Sequence, residues 1–355
     1  MIKFITFLST FLVCAFGSAN ADPKKVGFIY IGPPGDHGWT YMHDVGRKYM
    51  ESQLGDSITS TYIENVPENA DAVRAIRKLA DSGHDLIFTT SFNYMDQTHE
   101  VAKDFPDVKF EHATGYIQAD NVATYSARFY EGRMIEGHIA GHMSKTGTIG
   151  YIASFPIPEV VRGINAFYLA AAKVNPDIKM KIIWVFTWYD PGKEADAANT
   201  LINQGADIIV QHTDTYAPCQ AAQKAGVFAF GQASNQEEFC PDAHLTSIED
   251  IWGPYYADRA KAVVDGTWSS GDTWDGMDKG MVVMSPYNTK LMPASLIQEA
   301  VNMEVGIKDG TLHPFTGPIY NQAGELVVPD GEVAPDGMLL GMNFYVQGID
   351  GEVPQ

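Results

Sequence analysis

Short apolar runs alternate with longer amphipathic stretches along most of the chain. A strand buried on both faces needs consecutive apolar residues, and a helix lying on a sheet needs one apolar stripe. The alternation therefore predicts parallel sheets with helices on both faces, an α/β protein. The first unit opens with Val26-Gly27-Phe28-Ile29-Tyr30-Ile31, breaks at Gly32-Pro33-Pro34-Gly35, and turns helical over 41–54. Strand 58–63, helix 69–82, strand 86–90 and strand 108–112 follow. In that helix Ala72, Ala75, Ile76, Leu79 and Ala80 recur at helical spacing, and Gly83 stops it.

The pattern then repeats. Val26-Gly27-Phe28-Ile29-Tyr30 is echoed by Ile149-Gly150-Tyr151-Ile152-Ala153, and Gly83-His84-Asp85-Leu86-Ile87 by Gly205-Ala206-Asp207-Ile208-Ile209. Gly27 and Gly83 are 56 residues apart, Gly150 and Gly205 55, the length of a half-sheet with its helices. The second unit is expected as helix 129–143, strand 148–153, helix 160–172, strand 181–188, helix 193–204 and strand 207–212, then short pieces at 227–230 and 245–248. The chain should change lobes at 121–125, at 245–248 and after a strand at 280–284. That strand and helix 254–265 are expected to return to the first lobe, with helix 295–307 beyond the last crossing. The resulting division is 22–124 for the first part of lobe 1, 125–248 for lobe 2, 249–284 for the return, and 285–355 for the third crossover, a lobe 2 helix and a tail. In the tail, apolar runs on either side of Ala323-Gly324 read as a hairpin.

A length of 355 residues accommodates two lobes of ordinary domain size. Residues 1–21 stand apart: an early Lys3, a short apolar run, and the small-residue ending Ala19-Asn20-Ala21. This is the pattern of a secretory signal cleaved before Asp22, and Val13 before Cys14 argues against lipidation there. Net charge is −20, one unit more negative without Lys3. So acidic a surface argues against nucleic acid or anionic membrane as partners and suits a small neutral ligand. Cys219 and Cys240 remain after cleavage, either as a disulfide or as two buried thiols.

The expected strand ends carry the candidate chemistry. They hold Asp36, His37 and Trp39; Phe92, Asn93, Tyr94 and Asp96; Trp188, Tyr189 and Asp190; His212 and Asp214; Gln232 and Asn235; and Glu249, Asp250 and Trp252. Aromatic faces stack on flat ligands, while amides and carboxylates orient ring nitrogens and hydroxyls. Trp184 and Phe186 read as core along one strand face, and Trp188 as a site residue at the strand end. The enzyme motifs are missing: the 32–40 loop has no phosphate-loop lysine, and neither G-x-G-x-x-G nor G-x-S-x-G follows a strand. His138 and His142 are one helical turn apart but lack the glutamate of H-E-x-x-H, so they read as polar positions of an ordinary helix.

Four segments carry a resemblance: Val26-Gly27-Phe28-Ile29-Tyr30 with Gly38-Trp39; Leu86-Ile87-Phe88-Thr89-Thr90-Ser91-Phe92; Trp188-Tyr189-Asp190-Pro191-Gly192-Lys193-Glu194; and His313-Pro314-Phe315-Thr316-Gly317-Pro318. With them the chain resembles the basic membrane protein family of ABC-importer substrate-binding proteins, which includes purine-nucleoside-binding lipoproteins. The resemblance implies a type I periplasmic-binding-protein fold: two doubly wound parallel-sheet lobes joined by a three-crossover hinge, with ligand in the cleft between them. It implies an aromatic sandwich around a base, for which Trp39 and Trp188 stand where phenylalanine is commoner. Bulkier tryptophans leave less room for a ribose. Asp250 matches a late acidic residue, Gly231-Gln232 a second-lobe loop, and Lys279 a late lysine; Asp36 is followed by His37 where the family often carries an acidic pair.

The expected ligand site is Trp39, Asp36, Phe92, Asn93, Tyr94, Trp188, His212, Gln232, Asp250 and Trp252, with no catalytic residue, cofactor or metal. The expected role is a monomeric periplasmic receptor that binds a purine base or nucleoside. It would close near Thr124, Ser247 and Met284 and pass the ligand to an ABC permease in the inner membrane. The alternatives are an exported nucleoside or sugar hydrolase, and an importer receptor or sensor for another heterocycle or sugar.

Overall fold

The computed structural model describes residues 22–355; the expected signal segment 1–21, with Cys14, lies outside them. In chain order, β1 (Lys24–Ile29), α1 (Trp39–Leu54), β2 (Ile58–Ile63), α2 (Ala70–Asp81), β3 (Leu86–Thr89), α3 (Met95–Ala102), β4 (Lys109–Ala113) and β5 (Val122–Ala127) build the first lobe. The second lobe follows as α4 (Tyr130–Met143), β6 (Thr148–Ala153), α5 (Pro158–Val174), β7 (Lys179–Trp184), α6 (Pro191–Asn203), β8 (Ile208–His212), α7 (Ala217–Ala225), β9 (Phe228–Gly231) and β10 (His244–Asp250). The chain returns with α8 (Gly253–Val264) and β11 (Asp272–Asp275), then leaves again with β12 (Val282–Met284) and α9 (Ala294–Lys308). It ends in the hairpin of β13 (Ile319–Tyr320) and β14 (Leu326–Val328) and the short α10 (Asp336–Leu340).

The two six-stranded sheets run β11-β5-β4-β3-β1-β2 and β12-β10-β9-β8-β6-β7. Their first five strands have the same order in each half, which is the repeat seen in the sequence. Each sheet has a switch point where successive connections leave in opposite directions, β1/β3 in one and β6/β8 in the other. Loops at the carboxyl ends of strands diverge there and leave a crevice.

Local chemistry explains the element ends. Asn69 accepts a hydrogen bond from the Asp71 amide (2.7 Å) to cap α2, and Ile76, Leu79 and Ala80 bury its inner face. Gly83, at φ +76°, makes the left-handed turn that stops the helix and starts β3. Asp190 caps α6 through the Lys193 amide at 3.0 Å, with Pro191 at the first helical position. α8 is drawn back to the first lobe by Tyr256, whose ring packs 4.4 Å from Phe88 while Phe88 stacks on Phe28 at 4.7 Å. Burying side chains of this size contributes about 1.5–3 kcal/mol each.

Three expectations about the path are corrected. The strand expected at 280–284 in the first lobe is β12, which pairs antiparallel with β10 in the second sheet (Glu249 opposite Val283). The first sheet is completed instead by β11, whose Asp272-Thr273-Trp274-Asp275 pairs with β5. The lobes are connected at 128–129, 251–252 and 276–281, a few residues from the expected crossings. Finally, β7 stops at Trp184. Phe186 has φ +51° and is 54% exposed, so it is not core. Cys219 on α7 is bonded to Cys240, Cα atoms 5.8 Å apart, which decides between the two thiol alternatives.

Candidate functional site

A narrow cleft, about 340 Å³ of space with the adjoining open solvent included, lies between the lobes at the carboxyl ends of both sheets. The first lobe contributes Ile31, Trp39, Ser91, Phe92 and Thr114; the second contributes Glu159, Trp188, His212, Asp214 and Gln232. Every wall residue follows a strand, ends one or opens the next helix, the placement that the switch-point rule requires. A wider space of about 1200 Å³, open to solvent, shares Phe92, Thr114 and Glu159 with it.

The walls are held from behind. Asp36 accepts hydrogen bonds from the amides of Gly38 and Tyr41 (both 2.9 Å) and of Thr40 (3.0 Å), so its carboxylate fixes the start of α1 and hence Trp39. The Trp39 indole donates to the Thr90 carbonyl at 2.7 Å, and its ring meets Trp252 edge-on at 5.5 Å. Trp252 is itself stacked on the buried His43 at 5.0 Å. On the other lobe Trp188 leans on Phe155 at 5.1 Å, and its carbonyl accepts from the Asp214 amide at 2.9 Å. The Trp39 side chain is thus held by its indole hydrogen bond and its ring contacts, and the Trp188 side chain by its ring contacts.

Polar groups converge on the same space. Among the described residues the Trp188 indole N–H, His212 Nδ1 and Asp214 Oδ2 are buried and unpartnered. Desolvation, and after it the negative charges of Asp36 and Glu194, push the Asp214 carboxyl well above the usual range, which favours its protonated form. A protonated carboxyl offers one donor and one acceptor side by side, the pattern found on a purine edge. Burial lowers the His212 pKa and keeps the ring neutral, so the 3.4 Å approach of its Nε2 to Glu159 is a contact of a neutral imidazole rather than an ion pair. Gln232 accepts from the guanidinium of Arg133, which turns its amide N–H₂ to other partners. Arg133 is fully buried, paired to Glu136 at 2.7 Å and to the Gln211 carbonyl at 2.7 Å.

The lobes meet beside the cavity. Gly38 lies against the backbone of Asp214, and Ser234 Oγ donates to the His37 carbonyl. The His37 ring packs edge-on against Phe239 at 4.7 Å. This is a closed arrangement of the two lobes.

Of the site residues expected from sequence, Trp39, Phe92, Trp188, His212 and Gln232 line the cavity. The other five do not. Asp36 serves as the cap of α1. Asn93 donates to Glu68 at 2.9 Å, and the Tyr94 hydroxyl to the Val66 carbonyl. Asp250 is fully buried, both carboxylate oxygens unpartnered, and burial raises its pKa. Trp252, 1% exposed, backs Trp39. Five lining residues fall outside that expected set: Ile31, Ser91, Thr114, Glu159 and Asp214; Ser91 adjoins Phe92, Asp214 is one of the strand-end candidates, and Glu159 is signalled only by its place at the start of α5.

Comparison with known proteins identifies the family. Residues 23–311 match the Bmp family, described as ABC transporter substrate-binding protein PnrA-like. A purine-binding protein of Brucella abortus strain 2308 is 58% identical over 340 residues, covering 96% of this chain and 97% of that one. A protein of Haloferax volcanii, whose name assigns it provisionally to glucose binding in an ABC transporter, is 34% identical over 95% of this chain and 83% of its own. Among solved structures, an ABC transporter solute-binding protein from Aeropyrum pernix K1 superposes with TM-score 0.71 at 20% identity, over 82% of this chain and 93% of that one, a likeness of fold. With a type I periplasmic-binding fold and a family match over most of its length, the chain belongs to the Bmp family of ABC transporter substrate-binding proteins.

Proposed function

We propose that the protein captures a purine, the free base in preference to the nucleoside, in the cleft between its lobes and presents it to an ABC permease from the periplasmic side of the inner membrane, as a monomer. The observation that carries this reading is the pairing of Trp39 and Trp188, one from each lobe, around one narrow cavity with unpartnered polar atoms in its wall. Two aromatic faces offer stacking worth about 1–3 kcal/mol per face. Asp214, whose burial favours the protonated form, His212, whose burial favours the neutral ring, the Trp188 N–H and the Gln232 amide supply mixed donors and acceptors, which suits a neutral heterocycle. The Brucella relative, named as purine-binding, supports the same class. Closure about the connections at 128–129, 251–252 and 276–281 would bury the ligand.

The Haloferax relative raises a second reading, a sugar, because aromatic faces also stack on sugar rings. Calorimetric titration of ligand-stripped protein with adenine, guanine, hypoxanthine, their nucleosides and glucose separates the two. One-to-one binding of a base with glucose silent is the expected result. Binding of glucose with every purine silent overturns the purine reading while leaving the transport class intact.

A further inference from the structure

We propose that His138, His142 and Glu299 form a binding site for a divalent transition metal ion of the zinc type on the second lobe, apart from the cleft. The sequence shows only half of it, two histidines one turn apart on α4 with no glutamate between them in H-E-x-x-H order. The fold supplies the missing carboxylate from α9, which packs across α4 and brings Glu299 to the same spot from 161 residues away.

The geometry is that of a facial ligand set. His138 Nε2 lies 2.9 Å from Glu299 Oε2, and His142 Nε2 lies 3.6 Å from the same oxygen. The two rings meet edge-on with centroids 4.8 Å apart at 67°. Ligand atoms arranged tetrahedrally at about 2.1 Å from a metal stand about 3.4 Å from one another. The two measured separations bracket that spacing, and the candidate donor atoms of all three residues lie within 4.8 Å of one another. Rotation of the exposed side chains by about 1 Å would draw the three donors to that spacing.

The donor set defines the ligand. Two imidazoles and a carboxylate, with no thiolate, suit Zn²⁺ and its neighbours Cu²⁺ and Ni²⁺ better than Mg²⁺ or Ca²⁺. Three protein donors leave a fourth position for water. The side chains are reachable, 21%, 43% and 51% exposed for His138, His142 and Glu299. A net charge of −20 raises the local concentration of cations. None of the three residues lines the cleft or the wider space beside it, so the site is independent of the purine reading. A bound ion would pin α9 to α4, joining the segment after the third crossover to the one after the first.

The test uses untagged, chelator-treated protein titrated with ZnCl₂ in competition with a colorimetric zinc indicator, with thermal melting in parallel. One ion per chain is expected, with a rise in melting temperature on zinc addition. His138→Ala, His142→Ala and Glu299→Gln should each weaken binding at least about tenfold, since even an outer-shell partner commands that much, and should abolish the zinc-dependent rise. His99→Ala, a histidine of the first lobe, should change neither. Circular dichroism checks that each variant is folded, and Glu299→Gln keeps the shape of the site if a histidine variant is not. No stoichiometric binding in the micromolar range, or binding retained in the folded variants, overturns the proposal.

Discussion

Replacing Gly38 by alanine tests whether the lobe contact beside the cavity belongs to the ligand-bound state. The new Cβ would fall against the Asp214 backbone, 2.8 Å from its carbonyl carbon and 3.1 Å from its Cα, where carbon atoms need about 3.5–4.0 Å. Gly38 has φ −132°, outside the left-handed region, so what selects glycine there is proximity. To admit the methyl group the lobes must part locally by roughly 1 Å. That movement breaks the hydrogen bond from Ser234 to the His37 carbonyl, about 1 kcal/mol. It also loosens the His37–Phe239 ring pair, about 0.5–1.5 kcal/mol. A ligand that binds only between closed lobes therefore loses about 1.5–2.5 kcal/mol, roughly 10- to 70-fold in affinity. Calorimetry reads the affinity, and small-angle scattering reads the fraction of closed molecules at saturating ligand. Gly35→Ala, in the same loop with nothing within 4 Å of its added Cβ, is the control and should bind normally. Wild-type affinity in Gly38→Ala would refute the reasoning, because the lobes would then not meet at this point around the ligand.

Other consequences are open to measurement. Asp214→Asn preserves a neutral donor–acceptor pair and should hold purine within a few fold at pH 7, whereas Asp214→Ala should not; wild-type affinity should fall as pH rises through the elevated pKa, and the Asn variant should not follow. The same carboxyl holds its proton more tightly folded than unfolded, so its stabilising contribution is complete below about pH 4 and lost as pH rises through the folded value, leaving Asp214→Asn the more stable protein at high pH in urea titrations. Breaking the Cys219–Cys240 bond, which spans 21 residues, should cost about 3 kcal/mol in denaturant titration, and an unchanged midpoint would contradict this. Arg133→Leu leaves Glu136 buried without its partner and releases Gln232; about 3–5 kcal/mol of stability should be lost, with weaker ligand binding in whatever remains folded.

The parts of the fold legible in the sequence are those where one side-chain pattern has one structural meaning. The matched apolar strands at Val26 and Ile149, with Gly83 and Gly205 after their helices, foretold the two half-sheets, and strand ends foretold Trp39, Phe92, Trp188, His212 and Gln232. What was hidden depended on partners far along the chain. Asp272-Thr273-Trp274-Asp275 has no apolar run because β11 is an edge strand, its side chains half-exposed. Val282–Met284 has the run but no mark of which sheet it joins; its antiparallel register with β10 decides that. Asp36 carries the same residue type for either of two uses, and the backbone amides of Gly38, Thr40 and Tyr41 claim it as a cap before a ligand can. Asn93 is taken in the same way by Glu68. Glu299 shows the converse: nothing local marks it, and only the crossing of two helices sets it beside His138.

The central claim, that two tryptophans on opposite lobes clamp a planar base, is tested most directly by titrating wild-type, Trp39→Ala and Trp188→Ala proteins with whichever purine base binds. The expected result is tight one-to-one binding in the wild type and a loss of about 1–3 kcal/mol, roughly 5- to 150-fold, in each variant. Wild-type affinity in both variants, each folded by circular dichroism, would contradict the clamp and place the ligand elsewhere.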